Sequence, residues 1–443
     1  MKAFHAYDIR GVYDRDFNKE DAYKIGYFLP ELLNSRKILV GRDVRVSSPE
    51  IFDFLSKGIT DAGADVYNLG LSTTPMVYFS TAKFGFEASV MITASHNSKE
   101  YNGMKISRKN ALPVGYDTGL KDLEAMMVTK AIVPSGSKGK IIDFDKKTEY
   151  IEFLRHYVPD INGLKVAIDC SNGMAALFIK DLLGDQPVYI YDTLDGTFPN
   201  HEANPLVPDN IVDLQNLVRI EKADVGIIFD GDADRVMLTD ENGKFISPDL
   251  MIAVIADYYS ERKGKFLQDI RTSKAVSEYI GARFEKHMWR VGRAFAALKL
   301  REIDGEFGGE LAGHYYFKDF FYSDSGLLAC LIFLDVIAKN KKKGISVSMM
   351  ISKIEAYDNS GEINFKIEHK KEAMEAVKAF YLERNKPIAF YDFDGYRVEY
   401  DDWWFNIRPS NTEPYLRMLV EAKSKGLLEE KVNEIKSIIA KFD

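Results

Sequence analysis

A chain of 443 residues is too long for one ordinary core, so about three or four domains are expected. With 46% apolar residues, 28% charged residues and a net charge of −8, it reads as a soluble globular protein, and neither nucleic acid nor an anionic membrane suits it as main partner. An anionic small molecule would have to be held by local Arg and Lys clusters.

The start, Met1-Lys2-Ala3-Phe4-His5-Ala6-Tyr7-Asp8, lacks the long apolar stretch of a signal peptide, which points to a cytoplasmic protein. Lys37-Ile38-Leu39-Val40-Gly41 and Ser89-Val90-Met91-Ile92-Thr93 read as strands of a first βα unit. The second of these leads into Thr93-Ala94-Ser95-His96-Asn97 and then Tyr101-Asn102-Gly103-Met104-Lys105. A serine at a strand's carboxyl end can be a nucleophile or a phosphate carrier, and it can equally cap a helix or close a turn. A Ser-His-Asp hydrolase finds no support, since no Gly-x-Ser-x-Gly elbow is present, and no Walker A sequence points to ATP. The loop-rich stretch 133–139 separates this unit from the next.

Leu164-Lys165-Val166-Ala167-Ile168-Asp169 opens a second unit, and Val188-Tyr189-Ile190-Tyr191 continues it. Its last apolar run ends in three aspartates at alternate positions, Ile227-Ile228-Phe229-Asp230-Gly231-Asp232-Ala233-Asp234-Arg235. Alternate residues of an extended segment point the same way, so the carboxylates can converge, and clustered carboxylates suit a hard cation such as Mg²⁺. An acidic surface turn is the plain alternative. An EF-hand fits Asp230, Asp232, Asp234 and Glu241, but Arg235 stands where Gly is needed and a strand precedes in place of a helix.

Asp240-Glu241-Asn242-Gly243 carries a hairpin signal, and a helical pattern over 249–261 starts a third unit. Gly308-Gly309-Glu310-Leu311-Ala312-Gly313-His314 allows close backbone approach to a ligand, with Glu310 able to accept hydroxyl hydrogen bonds; a turn with an exposed acid is the alternative. The longest apolar run, 327–334, is too short to span a bilayer. Cys330 within it and Cys170 read as core thiols of a reducing compartment. The basic run 339–344 reads as a solvated helix end. From about residue 360 the texture becomes α+β, with a hairpin around Asp394-Gly395, a strand over 403–407, another over 415–421, and a final helix. Between those last strands, Arg408-Pro409-Ser410-Asn411-Thr412-Glu413-Pro414 offers a bidentate fork and many donors for a phosphate, or is an ordinary Pro-bounded turn.

Together these segments resemble the α-D-phosphohexomutase family over nearly the whole chain. The family's phosphoserine loop is matched at Thr93 to Asn97 and Tyr101 to Lys105, its metal loop at Asp230 to Arg235, its sugar loop at Gly309 to His314, and its phosphate loop at Arg408 to Thr412. Ala312 replaces the usual Ser of the sugar loop. Ala6-Tyr7-Asp8-Ile9-Arg10-Gly11 fits the family's start. Asp117-Thr118-Gly119-Leu120, Ser360-Gly361-Glu362-Ile363-Asn364 and Trp404-Phe405-Asn406 are most similar to the family's bacterial phosphomannomutase branch.

The resemblance implies three consecutive α/β domains with mostly parallel sheets and a smaller C-terminal α+β domain around a central cleft, drawn at 1–138, 139–240, 241–355 and 356–443. It implies that Ser95 is phosphorylated and holds Mg²⁺ together with Asp230, Asp232 and Asp234. Arg10 and Arg235 then contact the phosphoserine, while Lys105 and His96 assist proton movement. Glu310, Ala312 and His314 face the sugar. Tyr7, Arg271, Arg293, Arg408, Ser410, Asn411, Thr412 and Arg417 complete the substrate site. The implied reaction interconverts mannose 6-phosphate and mannose 1-phosphate through a hexose 1,6-bisphosphate. A phosphoglucomutase or dual-specificity enzyme, a phosphoglucosamine mutase and a Mg²⁺-dependent sugar phosphatase are the alternatives, and a non-catalytic sugar-phosphate binder is a further class. Hexose monophosphates are the expected partners; oligomeric state cannot be read from the chain.

Overall fold

Ile38, Leu39 and Val40 are fully buried in a strand, Lys37–Arg42, that has parallel neighbours on both sides, Asp65–Leu71 and Ala88–Ile92. Leu39 joins the core on one face and Ile38 and Val40 the core on the other, so the run is apolar without alternation. Helices Ser48–Asp61 and Thr74–Lys83 make the crossovers. After Ile92 the chain doubles back as an antiparallel strand, Tyr101–Arg108. In a computed structural model describing residues 2–410 and 415–442, the spatial order of this unit is fourth, third, first, second strand.

The same unit recurs twice. In the second, Val166–Asp169, Val188–Ile190 and Val225–Phe229 are parallel, and Val236–Thr239 returns antiparallel. In the third, Lys265–Asp269, Glu285–Trp289 and Phe307–Gly309 are parallel, and Tyr315–Phe317 returns. Each sheet is thus mixed, with a parallel half and an antiparallel half. Connections from the first and third strands diverge in opposite directions, which opens a crevice at the carboxyl ends between them. The third strand's hairpin loop lies at that crevice in every unit: 93–100, 230–235 and 310–314. The sequence shows no short-period repeat, because the units share topology far more than side chains.

The first strand of all, Ile9–Val12, pairs with Tyr101–Arg108 and sets Arg10 opposite Gly103. A Cβ on Gly103 would lie 2.1 Å from the Ile9 carbonyl oxygen, so only glycine permits this approach. Two expected boundaries move. Ile141–Asp143 adds to the first sheet beside Asp65–Leu71, beyond the boundary drawn at 138. Phe245–Ile246 pairs with Val236–Thr239 and keeps the second sheet going past 240. Short edge strands after a loop carry too little pattern to be assigned to one sheet or the next.

One apolar core runs through the first three domains, taking in Leu39, Tyr150, Ile168, Phe229, Phe307 and the helix Gly326–Lys341, whose 327–334 stretch is wholly buried. Cys170 and Cys330 are buried free thiols in it. Among the described residues no helix is long and apolar enough to cross a membrane. The fourth domain has its own core, between an antiparallel sheet (Ala389–Tyr391, Tyr396–Glu399, Trp403–Pro409, Leu416–Ala422) and helices Lys370–Leu382 and Lys425–Ile439.

Polar groups join the fourth domain to the third. Arg397 Nη1 donates to the carbonyls of Ile270 (2.8 Å) and Thr272 (2.6 Å), and Lys274 Nζ to that of Tyr400 (3.0 Å). Ser273 Oγ, Trp404 Nε1 and Asn359 Nδ2 all donate to the buried Glu421 carboxylate, each at 2.7 Å. Burial, and secondly Asp249, push Glu421 up to about 7. Its folded pKa lies above the unfolded value, so the folded state holds the extra proton and stability falls as pH rises between about 4.5 and 7. The expected result is a melting temperature for Glu421→Gln that gains on the wild type from pH 5 to pH 8. Parallel pH dependences for the two proteins would remove this assignment.

Candidate active site

Ser95 sits in the hairpin loop after Ala88–Ile92 with φ of +51°, the left-handed region that a serine enters only when its surroundings demand it. Its amide donates to Thr93 Oγ1 (2.9 Å) and its hydroxyl to Asp230 Oδ2 (2.7 Å). Arg10 reaches the same loop through Asn97 Oδ1 (2.8 Å). Arg235 Nη2 donates to His96 Nδ1 at 2.6 Å. Burial first, and then Arg235 and Arg10, hold His96 well below the ordinary histidine value, so its ring is neutral.

Asp230, Asp232 and Asp234 do converge, but as a hairpin turn and not as an extended segment. Phe229 pairs with Val236, and the six intervening residues fold back with Ala233 at φ +60°. All three carboxylates are fully buried, with one oxygen from each within 4.8 Å of the others. Burial, then Asp234 and Asp232, raise Asp230 well above the usual carboxylate range. Lys105 Nζ bridges Asp232 Oδ2 (2.6 Å) and Asp234 Oδ2 (2.5 Å). Burial opposes the Lys105 charge, but the two aspartates outweigh it and raise its pKa. Asp232 Oδ1 and Asp234 Oδ1 are buried without a hydrogen-bond partner. A buried carboxylate oxygen that no donor satisfies is costly unless a cation takes it, and two such hard oxygens fit Mg²⁺.

The third unit's loop lies alongside. Arg235 and His314 form an isolated backbone bridge, so the loops 230–235 and 310–314 touch. His314 Nδ1 lies 2.7 Å from Asp324 Oδ2, and Arg293 Nε donates to Asp324 Oδ1 at 3.1 Å while its guanidinium lies over the Tyr78 ring. Glu310 accepts from Tyr316 Oη (2.6 Å) and from the Gly292 amide (3.1 Å). Tyr7 Oη donates to the Val291 carbonyl at 3.1 Å, placing the chain start against this domain. Ala312 is half-buried and offers no polar side-chain atom.

Arg271 Nη2 donates to Asp269 Oδ2 at 2.7 Å. Glu362 stands between Arg271 (4.0 Å) and Arg417 (3.2 Å), one arginine from the third domain and one from the fourth. Arg408 is buried and donates to Asp394 Oδ1 through Nε (3.3 Å) and Nη2 (3.2 Å). The Ser410 amide donates to the Tyr415 carbonyl at 2.9 Å. Asn411 and Thr412 lie outside the described residues.

Descriptions of one family match the chain in sequence order: Phosphoglucomutase/phosphomannomutase, alpha/beta/alpha domain I at residues 1–130, domain II at 148–243, domain III at 247–357 and the C-terminal domain at 362–438. The chain belongs to the phosphoglucomutase/phosphomannomutase family. A phosphomannomutase of Vibrio cholerae is 35% identical, over 100% of this chain and 99% of its own length. One of Methanocaldococcus jannaschii is 36% identical, over 100% and 98%. A Burkholderia thailandensis family protein of known structure superposes with a TM-score of 0.88 at 26% identity, covering 99% of this chain and 97% of its own. The Paramecium parafusin phosphoglucomutase shares the fold, with a TM-score of 0.74 over 95% of this chain and 92% of its own. The enzyme is therefore a mutase of the isomerase class.

Several supporting residues of this phosphohexomutase escape the motif reading. Thr74 Oγ1 donates to Asp232 Oδ2 at 2.5 Å, and Asp324 and Asp394 orient His314 and Arg408. None stands in a motif with a chemical signature. One signal was there to find: Asp-x-Arg occurs at 43–45 and again at 269–271, each just at the end of a unit's first strand.

Proposed function

We propose that the enzyme interconverts mannose 6-phosphate and mannose 1-phosphate, with Ser95 carrying the phosphoryl group and a hexose 1,6-bisphosphate between the two. The observation that carries this reading is Ser95 Oγ, which donates a hydrogen bond of 2.7 Å to Asp230, one of three clustered buried carboxylates. The names of the Vibrio and Methanocaldococcus relatives support mannose as the sugar.

In the first transfer the bond from phosphorus to Ser95 Oγ breaks and one to the free sugar hydroxyl forms. The hydroxyl's proton ends, net, on Ser95 Oγ. Lys105, held charged between Asp232 and Asp234, carries protons within the cluster. His96 has its Nδ1 engaged by Arg235, which leaves Nε2 for that traffic. Arg10 and Arg235 offset charge on the phosphoryl group. Bound Mg²⁺, held by Asp230, Asp232, Asp234 and the Ser95 phosphoryl group, supplies further charge neutralisation. The bisphosphate then turns in the cleft and returns its other phosphoryl group to Ser95. Glu310 and His314 read the sugar, beside Ala312 and Tyr7. Arg271, Arg293, Arg408, Ser410, Asn411, Thr412 and Arg417 hold the phosphate that is not reacting.

Arg408→Ala raises KM for both the 1- and 6-phosphates, by roughly 30-fold or more, on the scale of a truncated charge pair. Removing remote binding also slows turnover. Steady-state kinetics with circular dichroism as folding control checks it; unchanged KM for both substrates would reduce the loop to a turn. The sugar is tested by parallel assays on the 1-phosphates of mannose, glucose and glucosamine. The highest kcat/KM belongs to mannose on this reading, and a higher value for either other sugar reassigns it.

A further inference from the structure

Beneath the Ser95 loop lies an arginine that the mechanism does not use. Arg45 follows the first strand of the first unit and its side chain is fully buried. Nε donates to Asp43 Oδ2 at 3.2 Å. Nη1 donates to the carbonyls of Ser98 (2.7 Å) and Tyr101 (3.0 Å), and Nη2 to those of Ser95 (2.8 Å) and Asn97 (2.6 Å). A guanidinium has five N–H donors, and all five are accounted for by these partners. Asp43 is itself fixed by Ser48 Oγ (2.6 Å) and by the Arg45 amide (3.0 Å). From the second domain, the Phe198 ring lies 5.1 Å from the guanidinium carbon, and Gly196 bridges the Arg45 backbone. A Cβ on Gly196 would meet the Val44 carbonyl oxygen at 2.2 Å, so the cover over Arg45 tolerates no side chain there.

The consequence for the loop is directional. A trans peptide sets its N–H opposite its C=O. With the Ser95 and Asn97 carbonyls turned to Arg45, the N–H groups of His96 and Ser98 face the other way. A phosphoryl dianion on Ser95 needs N–H groups around it and is repelled by carbonyl oxygens. Ser95 also holds φ +51°, a conformation that lapses once its surroundings release it.

We propose that Arg45 is a positioning residue that gathers the carbonyls of the Ser95 loop on one side and so presents the loop's N–H groups to the phosphoryl group on Ser95. The inference rests on the reading of Ser95 as phosphoryl carrier. Lysine keeps the charge but has three donors on one point, and cannot serve four carbonyls and a carboxylate.

The test compares the full-length wild type with Arg45→Lys and Arg45→Ala, with thermal melts as folding control and intact mass to read the phosphate on Ser95. The expected result is a kcat lower by about 100-fold or more in Arg45→Ala and by at least about 10-fold in Arg45→Lys. KM for mannose 1-phosphate stays within about twofold, because Glu310, His314 and Arg408 lie in other domains and Arg45 touches none of them. Methylguanidinium, but not urea, restores part of the Arg45→Ala turnover. If Arg45→Ala does not fold, Arg45→Lys decides. A folded Arg45→Lys that turns over at the wild-type rate overturns the assignment. So does a variant whose loss lies in KM and not in kcat. A wild type that turns over without phosphate on Ser95 would instead remove the phosphoserine reading itself.

Discussion

Ser95→Ala loses turnover by at least about three orders of magnitude while the protein stays folded. The substitution removes one oxygen, the one that donates to Asp230 at 2.7 Å, and changes no volume beyond it. The loop keeps its other supports, which include the Ser95 amide on Thr93 Oγ1 and the carbonyls of Ser95, Asn97, Ser98 and Tyr101 on Arg45. Folding is therefore spared while the covalent route is gone. What remains is direct transfer between sugar hydroxyls, which has no group to hold the phosphoryl during the turn. Steady-state rates, circular dichroism and the loss of added phosphate from the intact mass check this together. Near-normal turnover in the variant would show that Ser95 is not the carrier.

Asp232→Asn should cost turnover about 100-fold or more and weaken Mg²⁺ binding by at least about 10-fold. The geometry makes the direction firm. Asp232 Oδ2 already accepts from Lys105 Nζ (2.6 Å) and Thr74 Oγ1 (2.5 Å), so the amide oxygen of an asparagine takes that place. Its NH₂ then falls where Oδ1, the buried oxygen without a hydrogen-bond partner, stands in the wild type. A donor is thereby aimed at the position a cation would occupy. Binding can be read without turnover. Saturating Mg²⁺ raises the wild-type melting temperature, by mass action worth roughly 3 kcal/mol at a hundredfold excess over Kd, and the variant loses most of that rise. Activity that survives exhaustive chelation, or equal metal-induced shifts in both proteins, would place the metal elsewhere.

The strands that carry the site were legible because each is a short apolar run ending in a polar loop: Ala88–Ile92 before Ser95, Val225–Phe229 before Asp230, Trp403–Pro409 around Arg408. Their burial on both faces makes the apolar run unmistakable, and a loop rich in Asp, Gly or Ser after it is equally plain. The donors, acceptors and charges that the loops can offer were legible too, although each loop by itself reads equally as an ordinary turn.

What lay out of reach was everything set by contact across long separations. That Lys105 holds Asp232 and Asp234 and that Glu362 stands between Arg271 and Arg417 depend on which domain faces which, and that Asp394 meets Arg408 depends on how the fourth domain's own sheet turns. The threefold repeat of one βαβαββ unit is a relation of topology, and Asp-x-Arg at 43–45 and 269–271 is a small trace of it in residue identity. Even the aspartate cluster converges for a different reason than its alternate spacing suggests, because a hairpin turn and not an extended strand brings the three together. The local pattern of the chain thus determined the strands, the four loops and the kind of chemistry each can do. The tertiary structure alone decided which charges meet, because a carboxylate's partner is chosen by distance in space, and burial makes that choice count.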